Sequence, residues 1–320
     1  MPFKQFDRSK IQLKPLSQRV HDVHMEQMNY EGKVLDTCNP TYGILGERMR
    51  QASNKKSTIL MMYGAHVIRT GNAPYMIQLM QEGLITHFAT NGAGAIHDFE
   101  LSMIGATCES VAKYISKGQF GLWEETTRFN DAMNQGVEDG LGFGEAIGRY
   151  IWENEFPNRE SSVLAMAYHL QVPATVHIGI GNDIVHEYEN FNPALAGTGS
   201  YRDFLIYTES ITRLEGGVFL NVGSAVTGPE VYLKALAMAR NVANQEGKQI
   251  CNFTTAVFDM QKIGTSDFSK EADKSNPSYY FRPWKTILTR TVADGGESYY
   301  IEGSHDVTIP TLYEELLGKK

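Results

Sequence analysis

The stretch Thr58-Ile59-Leu60-Met61-Met62-Tyr63-Gly64 is an apolar run closed by glycine. A strand with one solvated face alternates apolar and polar residues, whereas a strand buried on both faces reads as such a run. Comparable short segments recur at residues 86–90, 174–180, 217–222, 251–258 and 299–301. Helical spacing fills the intervals: residues 72–83 (Tyr75, Ile77, Leu79, Met80, with Gly83 as a stop), two short helices near 100–106 and 109–116, then 142–156, 161–170, 201–214, 229–246 and a final helix over 310–317. Strand and helix alternating in this way predict an α/β fold, a Rossmann-like, doubly wound, mostly parallel sheet with helices on both faces. Such sheets bind ligands beyond the carboxyl ends of their strands. The turns at Gly64, Gly92–Gly94, Gly179–Gly181 and Gly223 all fall at such ends.

Residues 1–56 are more polar and read as an N-terminal arm with short helices, leaving 57–320 as one Rossmann-like domain. Residues 266–278 form a polar, turn-rich stretch too long for a plain connection, which reads as a functional loop. The net charge of -8 argues against nucleic acid and anionic membranes as partners. Cys38, Cys108 and Cys251 are odd in number and far apart, so neither a disulfide framework nor a zinc knuckle is expected. The first twenty residues lack the apolar core of a secretory signal, and no apolar run reaches membrane-spanning length, so a cytoplasmic protein is expected.

Three readings are open for Ala89-Thr90-Asn91-Gly92-Ala93-Gly94-Ala95-Ile96-His97-Asp98-Phe99-Glu100. It can be a phosphate cradle, since glycines after a strand let the backbone approach a pyrophosphate at a helix start. It can be a plain strand–helix turn. A metal site built on His97, Asp98 and Glu100 is disfavoured, because adjacent residues do not share a helix face.

Residues 64–100 resemble the deoxyhypusine synthase family. The blocks at 144–183, 221–240 and 276–288 continue the likeness in the family's order. The resemblance implies NAD, a homotetramer, and transfer of an aminobutyl group from a polyamine such as spermidine through a lysine imine to a protein lysine. A homospermidine-type synthase with a small-molecule acceptor and a non-catalytic nucleotide- or polyamine-binding paralogue are the alternatives. Carried over residue by residue, Lys285 stands at the nucleophile. Ala65, His66, Thr70, Gly92, Ala93, Gly94, Asp98, Gly223, Ser224 and Ser304 stand at cofactor-contacting positions, with Asp98 near the ribose-binding carboxylate. Asp183, His186, Glu230, Tyr279 and Trp284 fall in the substrate-binding stretches. Gly228 stands where the family has its catalytic histidine, and Tyr279 where it has a substrate-binding glutamate.

Overall fold

The structure is a computed structural model that describes residues 3–28 and 34–318. In chain order it contains β1 (Val23–His24), α1 (Thr41–Lys55), β2 (Ile59–Tyr63), α2 (Ala65–Arg69), α3 (Ala73–Gln81), β3 (His87–Asn91), α4 (Gly92–Ile104), β4 (Ala106–Thr107) and α5 (Val111–Ile115). Then follow α6 (Arg128–Glu138), α7 (Phe143–Glu153), α8 (Val163–His169), β5 (Ala174–His177), α9 (Pro193–Thr212), β6 (Val218–Val222), α10 (Thr227–Gln245), β7 (Thr254–Asp259), α11 (Thr289–Ala293), β8 (Glu297–Glu302) and α12 (His305–Leu317).

Six strands form one sheet in the order β5-β3-β2-β6-β7-β8, with every neighbouring pair parallel. Counted along the chain within this sheet, the order is 3-2-1-4-5-6, that of a dinucleotide-binding Rossmann sheet. The strands β2 and β6 are buried throughout, as the apolar runs require. Met61, Tyr63, Leu220 and Val222 pack on one face with Leu45, Met76, Phe99, Leu164 and Ile309 from α1, α3, α4, α8 and α12. Leu60, Met62 and Phe219 pack on the other with Tyr207, Tyr232 and Leu236 from α9 and α10.

Several helices start earlier than the sequence suggests. The glycine-rich stretch is already the first turn of α4, with the Asn91 Oδ1 accepting from the Gly94 N–H at 2.9 Å. In α9 the first turn is Pro193 and its neighbours, with Asn192 as cap. Capping chemistry decided both starts. The final helix likewise begins at His305 and carries Pro310 inside it, and α6 has no counterpart in the sequence reading.

The arm does not stand apart. Arg19 and Glu100 form a buried bidentate pair at 2.7 and 2.8 Å, completed by the Thr107 and Thr126 hydroxyls donating to Glu100. Lys14 adds backbone hydrogen bonds to Leu122 and Glu124, and β1 pairs antiparallel with β4. At the β5 edge, the buried Asp203 Oδ2 accepts from the Val176 and Gly144 N–H groups at 2.6 and 2.8 Å, which covers the open strand with the start of α7. Burial pushes the Asp203 carboxyl up to about 8.

Candidate functional site

Strand order reverses between β2 and β6, so their carboxyl ends mark the topological switch point. There the turns at Gly64 and Gly223 lie against each other. A Cβ on Gly64 would collide with the Gly223 carbonyl, and a Cβ on Gly223 (φ +60°) would collide with the His305 Nε2. His305 reaches this place because α12 crosses back beneath the sheet after β8. Its ring is buried and its Nδ1 has no hydrogen-bond partner. Burial lowers its pKa to about 4, so it is neutral at physiological pH. The His66 ring, half-buried on α2, lies 5.9 Å away edge to face. Burial and then Arg69 lower its pKa as well.

Ala65 opens α2, Ser224 opens the turn into α10, and Ser304 precedes α12. In none of the three does the N-cap side chain bond the first N–H groups, although in α10 the Ser224 hydroxyl takes the Gly228 N–H. Three helix starts thus meet around Gly64, Gly223 and His305, an arrangement suited to an anionic group such as a pyrophosphate. In this turn the Ser224 Oγ accepts from the Gly228 N–H at 2.8 Å, and the Asn221 Nδ2 donates to the Ser224 carbonyl at 3.0 Å. The Ser304 hydroxyl donates to Asp306.

Several residues expected at the cofactor are engaged elsewhere. Thr70 lies at the far end of α2. Its hydroxyl donates to the His66 carbonyl at 2.8 Å and accepts from the Asn72 Nδ2 at 2.9 Å, so it closes the helix rather than facing a ligand. Asp98 is 1% exposed. It accepts from the Ser162 hydroxyl and from the Val163 and Leu164 N–H groups at 2.5, 2.9 and 3.1 Å, and so caps α8 with no face left for a ribose. Burial raises its pKa to about 6 against those three hydrogen bonds. Gly92 and Gly94 are small for the sake of protein neighbours: a Cβ on Gly92 would strike the Asp183 Oδ2, and one on Gly94 the Thr90 Oγ1. Ala93 between them is half-exposed. His97 and Glu100 both bond the Thr107 hydroxyl, and Glu100 also pairs with Arg19. Among the described residues no three His, Cys, Asp or Glu side chains converge as a metal site would require.

Asp183 and His186 meet beside Gly92. The His186 Nδ1 accepts from the Gly181 and Asp183 N–H groups at 3.1 and 3.2 Å. That fixes the ring proton on Nε2, which lies 4.0 Å from the Asp183 Oδ2. Burial raises the Asp183 pKa to about 6 and lowers that of His186. The two side chains sit next to the start of α4.

The residues around Lys285 form a third group. Residues 284–288 make a π-helical turn, a feature often found at functional sites. The Lys285 Nζ lies 3.0 Å from the Glu271 Oε2, and Arg290 holds the other Glu271 oxygen at 3.1 Å. The lysine side chain is 44% exposed, so the desolvated setting expected of a nucleophilic amine is not present. Trp284 is buried in the core and donates to the Lys270 carbonyl at 3.2 Å, which removes it from any substrate. Glu230 is ion-paired with Lys234 and with Arg282 at 2.5 Å, and these cations lower its pKa. It stays ionised, but both of its oxygens already have cationic partners. Tyr279 is half-exposed, packed edge to face on Tyr280.

The structure brings together Ala65, His66, Gly223, Ser224 and Ser304 at the switch point, and Gly92, Asp183 and His186 on the neighbouring strand ends. Sequence reasoning missed His305 as the residue that fills the Gly223 turn. Only the path of α12 reveals it.

No protein-family model matches the chain, and no curated protein matches it in sequence. Solved structures do match. The apo form of ArgZ, an arginine dihydrolase from the ornithine–ammonia cycle in cyanobacteria, superposes with a TM-score of 0.51 at 14% identity, over 87% of this chain and 32% of ArgZ. AgrE in its ternary complex with ornithine and NAD+ gives 0.52 at 14%, over 86% and 32%. A conserved LOR/SDH protein from Methanococcus maripaludis S2 gives 0.51 at 13%, over 89% and 72%. The chain therefore spans about a third of the length of ArgZ and AgrE. These similarities establish the fold: a parallel, Rossmann-like α/β sheet shared with all three. No helix among the described residues is long and apolar enough to cross a membrane.

Proposed function

We propose that the chain is an enzyme of amine chemistry that binds NAD at the switch point between β2 and β6. The observation that carries this reading is the meeting of three helix starts around Gly64, Gly223 and His305, in a sheet of 3-2-1-4-5-6 order. The solved AgrE complex, of the same fold, contains NAD+ and ornithine. The pyrophosphate end fits the residues present. The ribose end is different: Asn91, not a carboxylate, ends the second strand, with its oxygen engaged on Gly94. A bound NAD would supply a hydride acceptor for the carbon bearing the amine. His305, neutral and with a free Nδ1, and the Asp183–His186 pair are the proton-handling groups nearest that edge.

In its finer form the reaction is the deoxyhypusine synthase-like one. Once a bound NAD had accepted a hydride from spermidine, Lys285 would take up the aminobutyl group as an imine with loss of 1,3-diaminopropane, and the group would pass to a protein lysine, where return of the hydride reduces the imine to an amine, in a homotetramer. Its place on a π-helical turn favours Lys285 as a working residue, and the Glu271 pair must open for its amine to attack. Calorimetry with NAD tests the first step. Borohydride trapping with spermidine and NAD, followed by peptide mapping, tests the second. NAD binding lost in Gly223→Val, together with an adduct on Lys285, is the expected result. Absence of NAD binding refutes the coarse reading, and an adduct elsewhere or none refutes the finer one.

A specific observation favours a second reading, a non-catalytic binder of the same ligands. A side chain at position 228, where the family has its histidine, would collide with the Asn221 Oδ1, so no larger residue fits there. NAD binding without turnover, unaffected by Lys285→Ala, supports this version.

A further inference from the structure

Four polar side chains on β3, β5 and α9 form one hydrogen-bonded line that the NAD reading leaves unused. The Ser210 Oγ lies 2.8 Å from the His87 Nδ1, the His87 Nε2 lies 3.0 Å from the Thr175 Oγ1, and the Thr175 Oγ1 lies 3.1 Å from the His177 Nε2. All four residues are 6% exposed or less. The Tyr207 ring packs edge to face on both imidazoles, at 5.6 and 5.3 Å. Burial lowers both histidine pKa values to about 3, so each ring carries a single proton at neutral pH.

That proton count fixes the direction of the line. Among the described residues, the Ser210 and Thr175 hydroxyls have no partners besides these ring nitrogens. A buried hydroxyl proton without an acceptor is unfavourable. Both hydroxyl protons find an acceptor in one arrangement only. Ser210 donates to the His87 Nδ1, His87 donates from Nε2 to Thr175, and Thr175 donates to the His177 Nε2. The His177 proton is thereby left on Nδ1. That nitrogen has no partner among the described residues and, unlike the His305 Nδ1, is not sealed from solvent.

The open end of the line stands at the carboxyl edge. His177 ends β5 and pairs in register with Asn91, the last residue of β3. The Ser200 Oγ on α9 accepts from the Ile178 N–H at 3.2 Å and donates to the Val176 carbonyl at 3.0 Å, which pins that strand end. Neighbouring strands lie about 4.8 Å apart, so His177 stands roughly 10 Å from the switch-point turns, on the side of β3. In a sheet of this order the pyrophosphate lies at the first turn and the adenosine half over the end of the second strand, here β3. Asn91 at that end has its oxygen engaged on Gly94.

We propose that His177 is a ligand-positioning donor: its Nδ1–H, oriented by the line from Ser210 through His87 and Thr175, donates to an acceptor atom on the adenosine half of the dinucleotide. The ligand rests on the NAD reading; the tautomers do not.

Long-range proton–nitrogen NMR of the isotope-labelled full chain reads the tautomers without ligand. Expected are Nε2–H for His87 and Nδ1–H for His177, the latter assigned by its loss in His177→Asn. Adding AMP should move the His177 Nδ1 resonance, and adding nicotinamide mononucleotide should not. In calorimetry, His177→Phe should weaken NAD and AMP about fivefold and leave nicotinamide mononucleotide unchanged. His177→Asn, whose amide nitrogen takes the place of Nδ1, should stay within about twofold of the parent for all three. Melting confirms that both variants are folded. A His177 proton on Nε2, an Nδ1 resonance insensitive to AMP, or parent-like NAD affinity in folded His177→Phe would overturn this proposal alone. A parent protein that binds neither NAD nor AMP would overturn the NAD reading, and the role of His177 with it.

Discussion

Asp98→Asn separates a structural carboxylate from a cofactor ligand. In the structure Asp98 is 1% exposed and accepts from one hydroxyl and two backbone N–H groups at the start of α8. An amide keeps one acceptor oxygen, but its NH2 group then faces donors. Each buried donor left without a partner costs about 1–3 kcal/mol, and loss of a helix cap about 1 kcal/mol. The Ser162 hydroxyl can rotate, so one or two unpaired groups remain, and the expected loss is about 2–4 kcal/mol. At about 2–4 °C per kcal/mol for a chain somewhat smaller than this one, the melting temperature should fall by roughly 4–16 °C. Differential scanning calorimetry reads that shift, and titration with NAD reads the affinity of the folded variant at 15 °C. The expected outcome is a lower melting temperature with NAD affinity within about twofold of the parent. A melting temperature within about 1 °C of the parent, with NAD affinity reduced tenfold or more, would refute the assignment and return Asp98 to the ribose.

Three further outcomes follow from the geometry. Arg19→Met leaves the Glu100 charge buried and unpaired, so a loss of about 3–5 kcal/mol in urea unfolding is expected, with faster proteolysis within the arm; an unchanged midpoint and an intact arm would sink this. Gly64→Ala drives a methyl group into the Gly223 carbonyl, and backbone cannot yield as a side chain does, so about 2 kcal/mol or more should be lost together with NAD binding; parent-like stability and binding would contradict the packing at the switch point. The folded-state pKa values of Glu187 and Asp203 are raised to about 7 and about 8. The folded chain therefore holds these protons more tightly than the unfolded one, and stability is lost as pH rises through those values. The melting temperature should decline between pH 6.5 and 8, and Asp203→Asn, which keeps the Oδ2 acceptor, should flatten that slope; an equally steep slope in the variant would show that Asp203 is not its source.

The buried strands were readable because a strand covered on both faces must be apolar throughout, and residues 59–63 and 218–222 are. Parallel pairing followed from the helices between them. The start of α4 was misread because glycine is a poor helix former, while the cap that overrides it, Asn91 on Gly94, is one residue outside the helix. The glycines of the same stretch looked like a ligand cradle. In the fold their smallness is required by Asp183 and by Thr90, contacts between segments remote or local that sequence spacing does not distinguish. Asp98, Trp284 and Glu230 are chemically suited to bind ligands, yet burial or ion pairing has already engaged each of them.

The chain's own order of residues thus determined the alternation of elements, the parallel sheet and the location of glycine turns at its carboxyl edge. Those depend on local propensity and on which faces must be dry. Which side chains face one another at that edge was decided by tertiary structure alone. The meeting of Gly64 with Gly223, the entry of His305 from the last helix, and the line from Ser210 through His87 and Thr175 to His177 depend on segments far apart in sequence. Only packing of the whole sheet and its helices sets their distances.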